Sequence, residues 1–237
     1  MKNASRIGAW LLVAAALPVS AADLSQVGTL AQEEFRRLSQ DLGAAFSYKG
    51  VTPATPLGIA GFDVGIEATL TRMQDSSVFA RAGAGGTSDL VIPKFHVHKG
   101  LWGGFDIGAF IAGARDVDAA LFGAELRYAI VDDGIATPAV GMRLSGSRAT
   151  GTGDLRIGTA ALDVMVSKRF AIVTPYLGGG AVRVESSVRG APLADESFTK
   201  GRMFAGVNLN LLTTNFALEA EKMGGNTSYS AKLGLRF

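Results

Sequence analysis

Apolar and polar side chains alternate with a period of two residues from Ile59 to the last residue, and this pattern constrains the fold more than any other feature. Such alternation indicates β-strands with one apolar and one polar face. About ten segments of about 9–13 residues show it, the length that a tilted strand needs to cross a membrane. We therefore predict an all-β fold: a transmembrane antiparallel up-and-down β-barrel of about ten strands. The pattern leaves ten and twelve strands open.

The positions of the charges separate this fold from a soluble β-sandwich or a lipocalin-like barrel, which alternate in the same way. The alternate positions that are polar, here called the polar parity, carry Asp, Glu, Lys, Arg and His together with many glycines. The positions between them, the apolar parity, are almost free of charge. In a membrane barrel the apolar parity faces lipid, and the closed sheet pairs every backbone group. We therefore favour the membrane barrel, with the polar parity facing an enclosed lumen.

The charged side chains of the polar parity are expected to pair across this lumen, because a lone buried charge is costly. The interior of a barrel of about ten strands is barely wider than its side chains. A filled or narrow lumen is therefore expected, and a wide general porin is not. The predicted lumen network consists of Asp63, Glu67, Lys94, His96, His98, Asp106, Glu125, Arg127, Arg143, Arg183, Arg202, Glu219, Glu221, Lys232 and Arg236.

The alternation changes parity within one segment, residues 154–167. The apolar residues are the odd-numbered Leu155 and Ile157 at the start of this segment and the even-numbered Leu162 and Val164 at its end. An extra residue in one strand would produce such a change, so we predict a β-bulge near Ala160.

The connections between segments alternate between long and short, which matches the outer loops and periplasmic turns of outer-membrane barrels. This places both ends of the predicted barrel in the periplasm. Residues 71–89, 186–197 and 221–227 are among the predicted long outer loops.

The first 22 residues have the layout of a cleavable secretory signal. Lys2 and Arg6 form a basic start, an apolar stretch follows, and small residues precede the expected cleavage after Ala21 or Ala22. Losing Lys2 and Arg6 brings the 23 basic residues down to the number of acidic ones, 21. The remaining chain then has no excess of positive charge for nucleic acid. We expect secretion across the inner membrane and localisation in the outer membrane.

Residues 24–43 show the three- and four-residue spacing of a short amphipathic helix, for which Gly43 is a plausible end. Its apolar face must be buried, and three positions stay open: beneath the barrel, inside the lumen, or on the inner leaflet. The expected organisation is a signal peptide at 1–22, the helix and a lead-in segment at 23–57, and the barrel at 58–237.

Few residues offer chemistry. The chain has no cysteine, and its two histidines, His96 and His98, share one strand face. With Asp106 they would give fewer than three certain metal ligands, so a role in the lumenal hydrogen-bond network is favoured over a metal site. A hydrolase would recruit these histidines with a carboxylate and Ser145, but no Gly-x-Ser-x-Gly or His-Glu-x-x-His motif is present. We predict no catalytic activity, no cofactor and no metal.

The C-terminus resembles the terminal signature of bacterial outer-membrane barrels, which implies recognition by the barrel-insertion machinery. The residues that carry it are Tyr229, Ala231, Leu233, Leu235 and Phe237. Residues 56–65, 95–100 and 226–237 resemble a group of uncharacterised Gram-negative, proteobacterial outer-membrane β-barrel proteins. The resemblance covers most of the chain and implies outer-membrane lipid as a partner. It brings no activity or site with it.

These observations predict an integral outer-membrane β-barrel that provides a narrow or plugged passage for small solutes. The alternative is a non-conducting barrel with a structural or surface-binding role, whose ligand would contact the outer loops. An outer-membrane hydrolase is the least favoured reading.

Overall fold

The computed structural model describes residues 24–83, 88–113, 120–150 and 154–237; the predicted signal at 1–22 lies outside the described residues. The described chain forms a closed antiparallel barrel of ten strands. The strands are β1 Phe62–Arg72, β2 Asp89–Gly100, β3 Phe105–Gly113, β4 Ala120–Val131, β5 Ala139–Thr150, β6 Leu155–Ser167, β7 Val173–Val188, β8 Glu196–Leu211, β9 Thr214–Met223 and β10 Asn226–Arg236.

Each strand pairs with its neighbours in sequence, and β1 closes the sheet against β10. Asp63 lies opposite Arg236 and Arg72 lies opposite Thr227, so the two strands are paired along almost their whole length. This confirms the up-and-down barrel and settles the strand number at ten.

The wall separates apolar from polar side chains as predicted. Large apolar side chains such as Leu144 and Val164 point outward and are 57% and 51% exposed, whereas charged side chains such as Arg143 and Asp163 are buried inside. This arrangement is that of a transmembrane barrel. None of the described helices is long and apolar enough to cross a membrane.

The predicted β-bulge near Ala160 is wrong. Strand β6 keeps one continuous register against β5 and against β7. Leu155 and Ile157 point into the lumen and are 3% and 2% exposed. The inward residues are apolar at this end of β6, whereas the outward ones are Arg156, Gly158 and Ala160, so the change in the pattern reflects the apolar groups that fill the lumen there. The register irregularity between β4 and β5 lies at Ala129 and Val131 instead.

The two ends of the barrel differ. At the end where β1 begins, β8 and β9 are joined by a two-residue turn; at the other end a long loop between β1 and β2 contains helix α2, Ser76–Arg81. Short turns mark the periplasmic end and long loops the outer end. The predicted long loop at 221–227 is wrong, because Gly224 and Gly225 alone join β9 to β10, with Gly224 at φ 57°.

A short 3-10 helix, Val27–Thr29, and helix α1, Gln32–Phe46, precede the barrel. The helical region thus starts and ends later than the predicted 24–43. Two glutamates occupy the first turn of α1, and the Glu34 carboxylate accepts the backbone N–H of Ala31 at 3.1 Å. Both features stabilise a helix N-terminus. Residues 47–61 then run without regular structure to the start of β1.

Candidate functional site: a plugged lumen

The N-terminal segment lies inside the barrel. We call residues 24–56 the plug: α1 occupies the outer half of the lumen, and residues 47–56 run down toward the periplasmic end. The Ser39 hydroxyl lies 2.6 Å from that of Ser186 near the outer end of β7. The backbone N–H of Ala54 donates to the Ser167 hydroxyl at the periplasmic end of β6, at 3.1 Å. Of the three positions that the sequence left open for the helix, the lumen is the correct one.

The outer half of the lumen is a hydrophobic core like that of a soluble protein. Phe35, Leu38 and Leu42 of α1 are at most 2% exposed and pack against inward apolar side chains of the wall. The wall residues of this core are Leu90, Ile92, Phe110, Ala112, Leu121, Ala149, Leu155, Ile157, Val182, Val184, Val188 and Met223. An open porin has water in its lumen; here the apolar contacts of the plug take the place of that water.

One close contact fixes how deeply α1 is seated. A Cβ atom at Gly43 would lie 2.8 Å from the γ carbons of Val184, closer than carbon atoms pack. Glycine at this position lets the helix backbone rest directly on β7. The sequence analysis took Gly43 for a helix end, whereas its role is this close approach.

The outer loops fold over the plug and hold it in place. The Asp41 carboxylate accepts the backbone N–H groups of Gln74, at 3.1 Å, and Asp75, at 3.2 Å, and the side-chain amide of Asn226, at 2.7 Å. Gln32 bonds to Ala194 and Glu196 on the far side of the opening. The plug thus connects loops from opposite sides of the barrel.

Helix α2 is part of this cover. Its N-cap, Asp75, accepts the hydroxyl of Ser77 at 2.7 Å and the backbone N–H of Val78 at 3.2 Å. These hydrogen bonds, led by that of Ser77, hold the pKa of Asp75 below its usual value. An ionised carboxylate at this position also suits the positive end of the helix dipole.

The periplasmic half of the lumen is charged, and acidic and basic side chains occur in equal number. Asp163 accepts hydrogen bonds from Arg143 Nε at 3.0 Å and from Arg202 Nε at 2.7 Å, and all three side chains are fully buried. The network comprises the acidic residues Asp63, Glu67, Asp106, Glu125, Asp163, Glu219 and Glu221 and the basic residues Lys49, Lys94, Arg127, Arg143, Arg202, Lys232 and Arg236.

The descending part of the plug contributes to this network. Lys49 lies 3.3 Å from Glu221, and the backbone carbonyl of Tyr48 accepts a hydrogen bond from Arg202 at 2.8 Å. Arg127 donates to the Thr52 hydroxyl and to the Pro53 carbonyl, both at 2.8 Å. The plug is therefore tied to the wall by apolar contacts above and by charged groups below.

The two histidines lie together on β2, with ring centroids 5.1 Å apart. His98 Nε2 is 3.3 Å from the Tyr48 hydroxyl and 3.2 Å from Glu125. No group of three or more histidines and acids with metal-binding geometry occurs among the described residues. The hydroxyl of Ser145, the nucleophile of the hydrolase reading, is buried and has no hydrogen-bond partner in the described part of the chain.

The comparisons with known proteins concern architecture. No protein-family model matches the sequence, and no curated protein does either. Among solved structures, the N-terminal barrel domain of OprF from Pseudomonas aeruginosa is 14% identical, with a TM-score of 0.38 over 74% of this chain and 97% of that one. Ail from Yersinia pestis is 12% identical, with a TM-score of 0.31 over 75% and 97% of the two chains. The KdgM porin is 9% identical, with a TM-score of 0.36 over 75% and 99%.

The chain is an integral outer-membrane β-barrel. Its closed sheet, apolar outside and charged inside, is the observation that supports this statement.

The wall places the predicted lumen residues on the inward face, with one exception. Arg183 points outward, where its side chain is 57% exposed and pairs with Glu185 at 2.9 Å. Pro175 and the glycines 178–180 obscure the alternation in β7, so the parity of Arg183 was misread. The C-terminal residues Tyr229, Leu233, Leu235 and Phe237 point outward toward lipid.

Two members of the network were missed by sequence reasoning. Asp163 has the correct parity for the lumen, but the predicted bulge in β6 removed it from the list. Lys49 lies in the plug, where no strand alternation assigns it to the lumen. Asp163 was thus detectable from the unbroken alternation of β6, whereas Lys49 carried no signal in the sequence.

Proposed function

We propose that this outer-membrane barrel is closed at rest by its own N-terminal segment and serves as a non-conducting barrel with a structural or surface-binding role. One observation carries the proposal: every residue from Asp41 to Ala54 is buried inside the lumen. A chain packed along the lumen in this way would obstruct the passage of a solute through the described part of the barrel.

The energy of plug withdrawal favours the closed barrel over a spontaneously opening passage. Burying one large apolar side chain contributes about 1.5–3 kcal/mol. Exposing Phe35, Leu38 and Leu42 together would then cost on the order of 5–9 kcal/mol, before any ion pair is broken. Because each 1.4 kcal/mol is a factor of about ten, fewer than about one molecule in 10³ would be open.

A passage for small solutes is the second candidate, and the charged periplasmic half of the lumen favours it. Once the plug is displaced, side chains such as Arg143 and Glu219 would line a polar channel. In this version a partner that binds the released plug supplies the energy that opens the barrel.

Planar-bilayer recording with the plug locked or removed separates the two candidates. The natural chain has no cysteine, so Ser39→Cys combined with Ser186→Cys places a single engineered pair where the two hydroxyls lie 2.6 Å apart. The two single-cysteine variants are the matched controls. A deletion of residues 24–56 removes the plug.

The closed barrel predicts silence for the wild type and for the oxidised double variant, and conductance for the deletion. Discrete conductance steps in the wild type and in the reduced double variant, which disappear when the double variant is oxidised and return when it is reduced, would refute the closed barrel and support the passage. Steps that oxidation leaves unchanged would contradict both versions, because the solute would then bypass the plug.

We also propose that the exposed C-terminal residues are read by the barrel-insertion machinery during assembly. Their outward side chains lie on β10 and, for Phe237, directly after it; β10 is the strand that closes the barrel against β1. In support, Phe237 exchanges backbone hydrogen bonds with Phe62 at 2.6 and 3.0 Å, and the two rings stack with centroids 6.2 Å apart.

A further inference from the structure

Three exposed arginines lie on neighbouring strands at the outer end of the wall: Arg148 on β5, Arg156 on β6 and Arg183 on β7. The strand register places Arg148 opposite Gly158 and Arg183 opposite Ala160. Small residues between long ones leave a depression in the wall. A cavity of about 580 Å³ is lined by all five of these residues.

Most of the residues that line this cavity, the three arginines among them, point outward, whereas Ser147, Ile157, Thr159, Ser186 and Glu196 point inward. Its lining comes from β5 to β8 and from Asp195 in the loop between β7 and β8, without a contribution from the described residues of the plug. A cavity between the wall and α1 would be lined by the helix as well. The arginines therefore face the surroundings of the barrel.

Two of the three guanidinium groups are available to a ligand. Arg183 pairs with Glu185 at 2.9 Å. Arg148 and Arg156 have no carboxylate within ion-pair distance in the described part of the chain. Glu196 also lines the cavity, but it contacts the plug, where Gln32 donates to it at 2.6 Å and Arg36 lies 3.5 Å away. Asp195 is then the one remaining acid of the described cavity lining against Arg148 and Arg156, so the cavity keeps an excess of positive charge.

The height of these arginines matches the surface of the outer leaflet. Ile172, at the periplasmic turn that precedes β7, is 50% exposed and marks the opposite edge of the apolar band. Roughly eleven residue steps of about 3.3 Å, along a strand tilted by about 40°, place Arg183 about 28 Å above it. The apolar band of such barrels is about 25 Å tall. Arg183 therefore lies where lipid head groups begin.

We propose that Arg148, Arg156 and Arg183 bind the phosphate of a phosphorylated lipid in the outer leaflet. Guanidinium groups hold phosphate oxygens through paired, charge-assisted hydrogen bonds, which strengthen where water is partly excluded. The small side chains of Gly158 and Ala160 let the head group approach the sheet. A closed barrel requires no such site, so this inference stands apart from the proposed function.

Native mass spectrometry of the detergent-solubilised barrel with purified bis-phosphorylated lipid A tests the site. Arg148→Gln combined with Arg156→Gln is expected to lower the affinity for the lipid by about tenfold or more, the size of effect that charge-assisted hydrogen bonds produce. The matched control, Arg72→Gln with Lys222→Gln, removes the same charge from exposed positions on β1 and β9. It is expected to change the affinity less than about twofold.

Equal losses in the two double variants would overturn the proposal, because general electrostatic attraction would explain both. Wild-type protein is also tested with lipid A lacking phosphate, and equal binding of this lipid would overturn the proposal without any variant. In the last arm inorganic phosphate alone is titrated against the wild-type protein. An affinity for inorganic phosphate equal to that for lipid A would show a site for the free anion, which contradicts a lipid site.

Discussion

Single residues in this lumen differ from surface residues because their charges have no access to bulk water. Asp163 shows this most clearly, since it neutralises two buried guanidinium groups, those of Arg143 and Arg202. Buried ion pairs contribute little net stability compared with an apolar replacement, but removing one partner leaves an unpaired charge in a low-dielectric interior. The loss of unfolding free energy on a substitution in the lumen is therefore set by the charge that the substitution leaves unpaired.

Asp163→Asn is expected to destabilise the barrel by about 3–5 kcal/mol, because Arg143 loses its ion-pair partner and Arg202 keeps only the longer pair with Glu221, at 3.5 Å. The measurement is urea-induced unfolding in lipid vesicles, followed by the fluorescence of Trp102, which is 74% exposed. Arg169→Gln is the control: its side chain is 55% exposed and 3.6 Å from Asp133, which keeps its bond to Lys168. This change is expected to cost less than about 1 kcal/mol. Similar unfolding midpoints for the two variants would contradict the buried network.

A second residue-scale prediction concerns the last side chain. Phe237→Ala is expected to slow assembly several-fold, because the exposed ring that the insertion machinery would bind is lost. The amount of heat-modifiable, folded protein in outer membranes is measured at intervals after induction. Phe170→Ala removes an aromatic ring that is 60% exposed at the same end of the barrel and should leave the assembly rate unchanged. Equal slowing in both variants would indicate a loss of membrane anchoring alone.

At the scale of the elements, the strands were predictable and the position of the helix was not. A period of two is set by the strand itself, so one sequence is enough to find it. The amphipathic pattern of α1 shows that one face is buried, but it does not identify the surface that buries it. A partial signal existed at the outer ends of β2 and β6, where Leu90 and Ile157 stand on the inward parity. Apolar residues on the inward parity indicate a second apolar partner inside the barrel.

The seating of α1 on β7 gives a prediction for this pair of elements. In an isolated helix, Gly43→Ala would gain about 0.5–1 kcal/mol. Here the added methyl group would meet Val184 at 2.8 Å, so a net loss of about 1–2 kcal/mol is expected from overpacking. Val184→Ala alone should also destabilise, through the cavity that it leaves. In the double variant the new methyl group occupies this space.

The losses of unfolding free energy from the two single changes should therefore not add. The double variant Gly43→Ala with Val184→Ala is expected to lose about 1 kcal/mol less than the sum of the two single losses. Unfolding in urea measures all the variants. The control pair, Gly43→Ala with Val182→Ala, alters a neighbouring buried valine of β7 and should give additive losses. Additive losses in both pairs would show that Gly43 does not contact Val184.

At the scale of the whole molecule, the path of the plug fixes which part of the chain reaches which side of the membrane. The chain enters the lumen from the outer end and leaves it at the periplasmic end, where β1 begins. The residues ahead of α1 therefore lie at the outer surface, beside the loops that carry Ala82 and Ala191. The sequence analysis predicts that both ends of the barrel lie in the periplasm; in the structure they lie at the same end of the barrel, and the plug runs from there to the opposite end.

Cysteine labelling in intact cells tests this path, and the cysteine-free background makes it specific. Glu33→Cys, at an exposed position in the first turn of α1, is expected to react with a membrane-impermeant maleimide without permeabilisation. Ala136→Cys, in the exposed turn between β4 and β5, should react only after the outer membrane is opened. The reverse pattern would mean an inverted barrel. Protection of Glu33→Cys both before and after permeabilisation would mean that α1 is not at the outer opening, because the thiol would then be shielded on either side. The expected labelling would also account for the apolar outer half of the lumen. Its contacts with α1 close the barrel and, at the same time, hold the surface-exposed start of the helix in place.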